Sequence, residues 1–149
     1  MNVIIQAGGK GTRLHHHTRN KPKCLVTAPS LTLLEKQLKL YSSEDIIIIG
    51  DYKYDVLEKY VKTFFPKYKI KMVNASGKTG TLSGLAEALS LINNQEEIHF
   101  FWSDLILGQK LTHRESDIQV FTTNEFPCRY RLSNNLQIEK ITSSNDGII

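Results

Sequence analysis

Long apolar runs and strongly charged tracts are both missing from this chain of 149 residues. No stretch approaches the roughly 20 apolar residues that span a bilayer, and the N-terminus runs straight into a strand-like segment without a signal peptide. Cysteine is scarce: Cys24 and Cys128 lie far apart without metal-ligand spacing, so neither a disulfide framework nor a zinc site is supported. These absences predict a soluble, cytoplasmic protein with reduced thiols. The net charge is only +4, the lysines are scattered, and there is no arginine-rich helix or basic tail. A nucleic-acid surface therefore has little support. Internal repeats and low-complexity tracts are absent as well. What remains, 40% hydrophobic and 23% charged, suits one ordinary globular domain.

Two common phosphate-binding motifs are also absent. A dinucleotide fingerprint needs glycine at the last place of G-x-G-x-x-G, where Leu14 closes the run from Gly9. A P-loop needs a glycine five residues before its Gly-Lys-Thr, and ahead of Gly77-Lys78-Thr79 that place holds Met72. Gly77-Lys78-Thr79 reads as a polar turn.

What is present is concentrated in residues 3–25, VIIQAGGKGTRLHHHTRNKPKCL. A short apolar run suited to a buried strand breaks into Gly8, Gly9, Lys10, Gly11, Thr12 and Arg13. With so many glycines, main-chain N–H groups rather than side chains face whatever sits there, and such a run forms a concave anion site. Arg13 adds a planar fork for phosphate oxygens, and Lys23 adds a compact movable charge. Pro22 fixes the backbone beside Lys23. His15, His16 and His17 are adjacent, and neighbouring residues rarely converge on one metal, so they read as a solvated loop.

The segment resembles the nucleotidyltransferases that activate sugar phosphates, the nucleoside-diphosphate-sugar pyrophosphorylase family. The pattern A-G-G-x-G-T-R-L, a threonine, then P-K-x-L is met by Ala7 to Leu14, Thr18, Pro22, Lys23 and Leu25. His15, His16 and His17 stand where the family usually has a proline. The resemblance implies that Ala7, Gly8, Gly9, Gly11 and Thr12 bind the nucleotide, that Arg13 neutralises the departing pyrophosphate, and that Lys23 contacts the phosphate under attack. It also implies a three-layer, Rossmann-like α/β fold with a mainly parallel sheet.

Further along, helices are expected over residues 31–41 and in the segment after Asp51, with Asp51 as cap and Val56, Leu57, Tyr60, Val61 and Phe64 inward. The unbroken run 46–49 predicts a strand buried on both faces. Residues 68–73 suit a strand near the sheet edge. A helix over 81–92 should turn Leu82, Leu85, Ala86, Leu89 and Ile92 inward. By resemblance, Gly80 and Thr81 touch base or ribose; a plain capped helix, with Ser76 or Thr79 as cap, is the alternative. Residues 97–102 predict a central strand with Asp104 just beyond its end, where open α/β sheets bind ligands. By resemblance Asp104 holds Mg2+, which favours carboxylate, phosphate and water oxygens. His99 reads as a structural histidine. Residues 117–123 predict another strand, and 129–132 with 136–141 a strand pair.

The implied reaction is attack by a phosphate monoester on the α-phosphorus of a nucleoside triphosphate, forming an NDP-sugar and releasing pyrophosphate. Transfer to a non-sugar acceptor such as phosphocholine stays open, as does a nucleotide-binding module without turnover. The family's acceptor lysine, in a glutamate-lysine-proline segment, has no counterpart at residues 142–145, and its second metal carboxylate is not found. The chain therefore reads as a nucleotidyltransferase domain cut short after residue 149, with a shortened relative as the alternative. Base identity and oligomeric state, a homo-oligomer included, are not legible. A role in surface polysaccharide assembly follows from family habit alone.

Overall fold

A computed structural model describes residues 1–78, 80–93 and 96–110, with the backbone of two later strands. The chain divides into two compact units, Met1–Thr112 and His113–Ile149. In the second, Tyr130–Leu132 and Ile138–Lys140 pair antiparallel, as the sequence suggested. Cys128, Thr79 and the strand expected at 117–123 lie outside the described residues.

The first unit is built on four parallel strands, β1 (Asn2–Gln6), β2 (Asp45–Gly50), β3 (Ile70–Asn74) and β4 (Ile98–Trp102). Their order across the sheet is β3-β2-β1-β4. Helices α1 (Leu33–Leu40) and α2 (Tyr54–Phe64) make the first two connections, and α3 (Gly80–Ser90) makes the third. The first two crossovers step one way across the sheet and the third steps back past β1. With one crossover hand throughout, α1 and α2 must lie on one face and α3 on the other. The cores show that division: Leu34, Leu38, Leu57 and Val61 pack with Val3 and Ile5, whereas Ala88 and Leu85 pack with Ile4, Ile47 and Ile49. The expected three layers are there.

Local chemistry explains the elements. Ile46, Ile47, Ile48 and Ile49 are all buried because β2 is paired on both edges and covered on both faces. Thr32 caps α1 with a full capping box: its hydroxyl accepts from the Glu35 amide at 3.1 Å, and Glu35 Oε2 accepts from the Thr32 amide at 2.6 Å. β3 is an edge strand, as its alternation with lysines suggested.

Four expectations are corrected. Asp51 does not cap α2; Lys53, in the left-handed region at φ 54°, occupies that position without a side-chain cap. Phe64 is exposed, and Phe65 turns into the core instead. The helix end explains this, since Phe65 leaves helical geometry at φ −126°. α3 turns Gly84 and Ala88 inward, and Leu82 is 78% exposed, with Ala86 and Leu89 exposed too. A Cβ on Gly84 would come within 2.6 Å of Ile49 Cγ2, so the helix backbone sits directly against β2 and only a glycine fits there. Finally, β4 has β1 as its one strand partner among the described residues, so it is not central there. No helix among the described residues is long and apolar enough to cross a membrane.

Candidate functional site

The strand order reverses between β1 and β4, and open α/β sheets bind ligands at the carboxyl ends of strands beside such a reversal. A cavity of about 300 Å³ opens there. Gly8 and Gly9 bring the β1 end to it, Ser103 and Asp104 the β4 end, and Gly80 and Thr81 the start of α3. Lys23 joins them from the extended Pro22 and a single 3-10 turn, Lys23–Leu25.

Each glycine has its own reason. A Cβ on Gly8 would lie 2.8 Å from Asp51 Cβ and 3.2 Å from the Asp51 amide, so the β1 and β2 ends can meet only at glycine. Gly11 has φ 65°, and a Cβ there would press on Lys23 Cβ at 3.0 Å. The Gly11 carbonyl accepts from Thr18 Oγ1 at 3.1 Å and from the Leu14 amide at 2.9 Å, which folds the loop back on itself. Gly9 is different: nothing lies within 4 Å of its missing Cβ, so that side of its backbone is open. Its carbonyl accepts from the Lys23 amide at 3.3 Å, tying the lysine segment to the loop.

The charges are placed by neighbouring elements. Lys23 Nζ is ion-paired with Asp104 Oδ2. Cys24, next in sequence, turns into the core, where burial pushes its thiol up to about 12 against the opposing effect of a backbone hydrogen bond. Gln37 of α1 is buried and donates through Nε2 to the carbonyls of Trp102 (2.9 Å) and Leu105 (2.8 Å), clamping the turn that carries Asp104. Tyr52 ties the β2 end to the glycine loop. Its amide donates to the Gly8 carbonyl at 3.4 Å, its hydroxyl lies 3.0 Å from the Thr18 and Arg19 carbonyls, and Lys10 Nζ sits 5.5 Å above its ring.

Gly8, Gly9, Lys23, Gly80, Thr81 and Asp104, all singled out by sequence, thus meet around one cavity. Ala7, Gly11, Thr12 and Arg13 do not line it. The Ala7 amide is spent on the Ile49 carbonyl at 2.8 Å, whereas Thr12 and Arg13 are exposed in the 3-10 segment Thr12–Thr18. His15, His16 and His17 are exposed in that segment as well, which kinks at His15 (φ 45°). No group of three metal-ligating side chains occurs among the described residues. Asp104 and Asp51 are nonetheless two carboxylates on one cavity, a donor set that fits a hard cation shared with phosphate oxygens. Ser76 does not cap α3, because its hydroxyl donates to the Asp51 carbonyl at 3.0 Å. His99 is buried edge-on to Tyr41, with Nε2 3.1 Å from Glu97 Oε1 and Nδ1 without a partner among the described residues.

Sequence reasoning passed over Gln6, Asp51, Ala75, Lys78 and Trp102, which line the same cavity. Lys78, from the turn set aside as a failed P-loop, pairs there with Glu87. The one available signal was Gln6, a polar residue closing the apolar run of Val3, Ile4 and Ile5.

A glycine loop, a lysine and an acidic strand end share one cavity at the reversal point of a parallel sheet, in a doubly wound α/β protein. The sequence model of the nucleotidyl transferase family matches residues 2–119, and the chain belongs to that family. It is 32% identical over 125 residues to a D-glycero-alpha-D-manno-heptose 1-phosphate guanylyltransferase of Campylobacter jejuni, covering 79% of this chain and 55% of that protein. To a CTP:phosphoglutamine cytidylyltransferase of the same organism it is 28% identical over 165 residues, covering 100% of this chain and 64% of that protein. The CTP:phosphocholine cytidylyltransferase of Streptococcus pneumoniae superposes with a TM-score of 0.56 at 28% identity, over 69% of this chain and 44% of that one. The chain thus spans 44% to 64% of the length of these proteins.

Proposed function

We propose that the chain is the nucleotide-binding part of an enzyme that transfers a nucleotidyl group from a nucleoside triphosphate to a phosphorylated small molecule, forming a sugar nucleotide where the acceptor is a sugar 1-phosphate. The observation that carries this reading is the meeting of Gly8, Gly9, Lys23 and Asp104 around one cavity at the strand-order reversal. Gly9 leaves its main chain open to phosphate oxygens, and Lys23 neutralises negative charge beside them. Gly80 and Thr81 flank the nucleoside. Asp104, with Asp51 nearby, would hold Mg2+, which supplies charge neutralisation on the triphosphate. Catalysis of this kind needs no protein nucleophile, because the acceptor phosphate is already ionised; alignment and preorganised charge lower the barrier. Arg13, exposed outside the cavity, would serve the leaving pyrophosphate only after the Thr12–Thr18 segment moves inward.

A second acceptor class, non-sugar phosphates, is favoured by the similarity to the cytidylyltransferases named for phosphoglutamine and phosphocholine. The test is a Mg2+-dependent titration of ATP, CTP, GTP, UTP and dTTP, followed by pyrophosphate release with sugar 1-phosphates and with phosphocholine. Selective, Mg2+-dependent binding of one nucleotide supports the reading. No binding of any nucleotide overturns it for this chain.

A further inference from the structure

We propose that Gln6 and Trp102 form the base-reading wall of the cavity, with the Gln6 amide setting which nucleobase is accepted and Trp102 covering it. The inference rests on the nucleotidyl-transfer reading and assigns a selective element within that site. Gln6 ends β1 and Trp102 ends β4, and the strand register sets the two side by side. Side chains alternate along a strand, so Ile4 and Gln6 share the face that packs toward α3, and Phe100 and Trp102 share it in β4. Gln6 and Trp102 therefore lie on the side of the cavity where α3 begins with Gly80 and Thr81.

Two observations point to a ligand. Gln6 Oε1 is buried with no hydrogen-bond partner among the described residues. An acceptor withdrawn from water without a partner is costly, so the amide gains from turning its oxygen toward one. Turning it into the cavity lets it pair with an N–H group on a base edge, and an amide offers donor and acceptor side by side for such pairing. Its Nε2 already sits at the glycine loop, 3.5 Å from where a Gly8 Cβ would be. Trp102, meanwhile, is 54% exposed although it lines the cavity, and Phe100 steadies its ring edge-on at 5.3 Å. An exposed, supported indole on the wall of this cavity suits a planar base, which aromatic rings hold by stacking.

Selectivity in such a site comes from buried polar groups that the wrong base leaves unpaired. The experiment is a titration of all five nucleoside triphosphates with Mg2+ against the wild type, Gln6→Leu, Gln6→Glu and Trp102→Leu, with inorganic tripolyphosphate as a base-free probe and thermal unfolding as a check of the fold. Gln6→Leu should compress the preference for the favoured base about ten- to hundredfold while tripolyphosphate binds as in the wild type. Gln6→Glu, which keeps acceptors but removes the donor, should re-rank the bases. Trp102→Leu should weaken all five by about tenfold without re-ranking them. A preference unchanged within about twofold in both Gln6 variants would overturn the inference and leave the nucleotidyl-transfer reading standing. Absence of nucleotide binding in the wild type would overturn both.

Discussion

Lys23 and Asp104, 81 positions apart in sequence, are joined through Nζ and Oδ2 at the edge of the cavity. Their side chains are 32% and 45% exposed, so the pair contributes no more than about 1 kcal/mol to folding. On the proposed reading it holds two opposite charges ready, Lys23 for an arriving phosphate and Asp104 for a cation. Lys23→Ala should weaken nucleotide binding about ten- to hundredfold, the worth of a charge-assisted contact, with little change in Tm. Asp104→Ala should abolish the Mg2+ dependence of binding. Calorimetric titration at two Mg2+ concentrations checks both; affinity within about twofold of wild type in Lys23→Ala removes that residue from the site.

Gly8 and Gly9 are neighbours with opposite reasons for being glycine, and the same substitution separates them. Gly8→Ala drives a Cβ into Asp51 and should destabilise the fold by about 1 to 3 kcal/mol. Gly9→Ala meets nothing within 4 Å, so its unfolding midpoint should stay at the wild-type value while nucleotide affinity falls, since the added methyl occupies the phosphate approach. A Gly9→Ala protein that binds as well as wild type would show that the phosphates lie elsewhere.

Gly84→Ala should destabilise by about 1 to 3 kcal/mol, because its Cβ would stand 2.6 Å from Ile49 Cγ2 and 3.1 Å from Ala75 Cβ. Ile49→Ala removes the first obstacle, so the double variant should be more stable than the sum of the two single losses predicts, by about 0.5 kcal/mol or more. Additive losses in urea unfolding would mean α3 does not rest on β2 through Gly84.

That helix also shows where the sequence stops being readable. The glycine loop was legible because its chemistry is written in adjacent residues whose spacing is itself the signal. The inward face of α3 was not. Periodicity counts large apolar residues, whereas this contact is made by Gly84 and Ala88, whose smallness lets the backbones approach. Phe64 continues the apolar periodicity of α2, but the turn at which the helix ends decides which ring faces in, and it is Phe65. Gln6 and Trp102 become neighbours only through the β1–β4 register, and nothing local to either residue announces it. Asp104 was placed through its position after an apolar strand, although β4 lies at the margin of the described sheet rather than at its centre.

The Cys24 thiol gives a pH signature. Its pKa rises from an ordinary value of 9.0 to about 12 on folding, through burial. The folded state therefore keeps a proton that the unfolded chain releases above pH 9.0, so stability is undiminished below that pH and falls between it and about 12. The slope from this group is about 1.4 kcal/mol per pH unit. Burial pushes the Tyr54 and Tyr60 phenols up as well and steepens the fall at the alkaline end. Cys24→Ala should flatten the decline in urea midpoint between pH 9 and 10. An equal slope in the variant would mean the thiol is not desolvated.

Gln37 links the α1 face to the site and supplies the most demanding test of how Asp104 is positioned. Its amide is the one side chain among the described residues that bonds the carbonyls of both Trp102 and Leu105, the residues on either side of Ser103 and Asp104. Gln37→Leu keeps a similar volume in the buried position but removes this donor: the Trp102 carbonyl keeps the Leu105 amide at 3.1 Å, whereas the Leu105 carbonyl is left without it, at about 1 to 3 kcal/mol where water does not reach. The turn should relax toward solvent to give the Leu105 carbonyl a new partner, carrying the Asp104 carboxylate out of register with Lys23 and the glycine loop. The variant is expected to show a lower Tm, faster amide exchange confined to the turn after β4, and weaker Mg2+ dependence of nucleotide binding, with base preference unchanged. A drop in Tm alone, with Mg2+ dependence intact, would make Gln37 a core residue and nothing more.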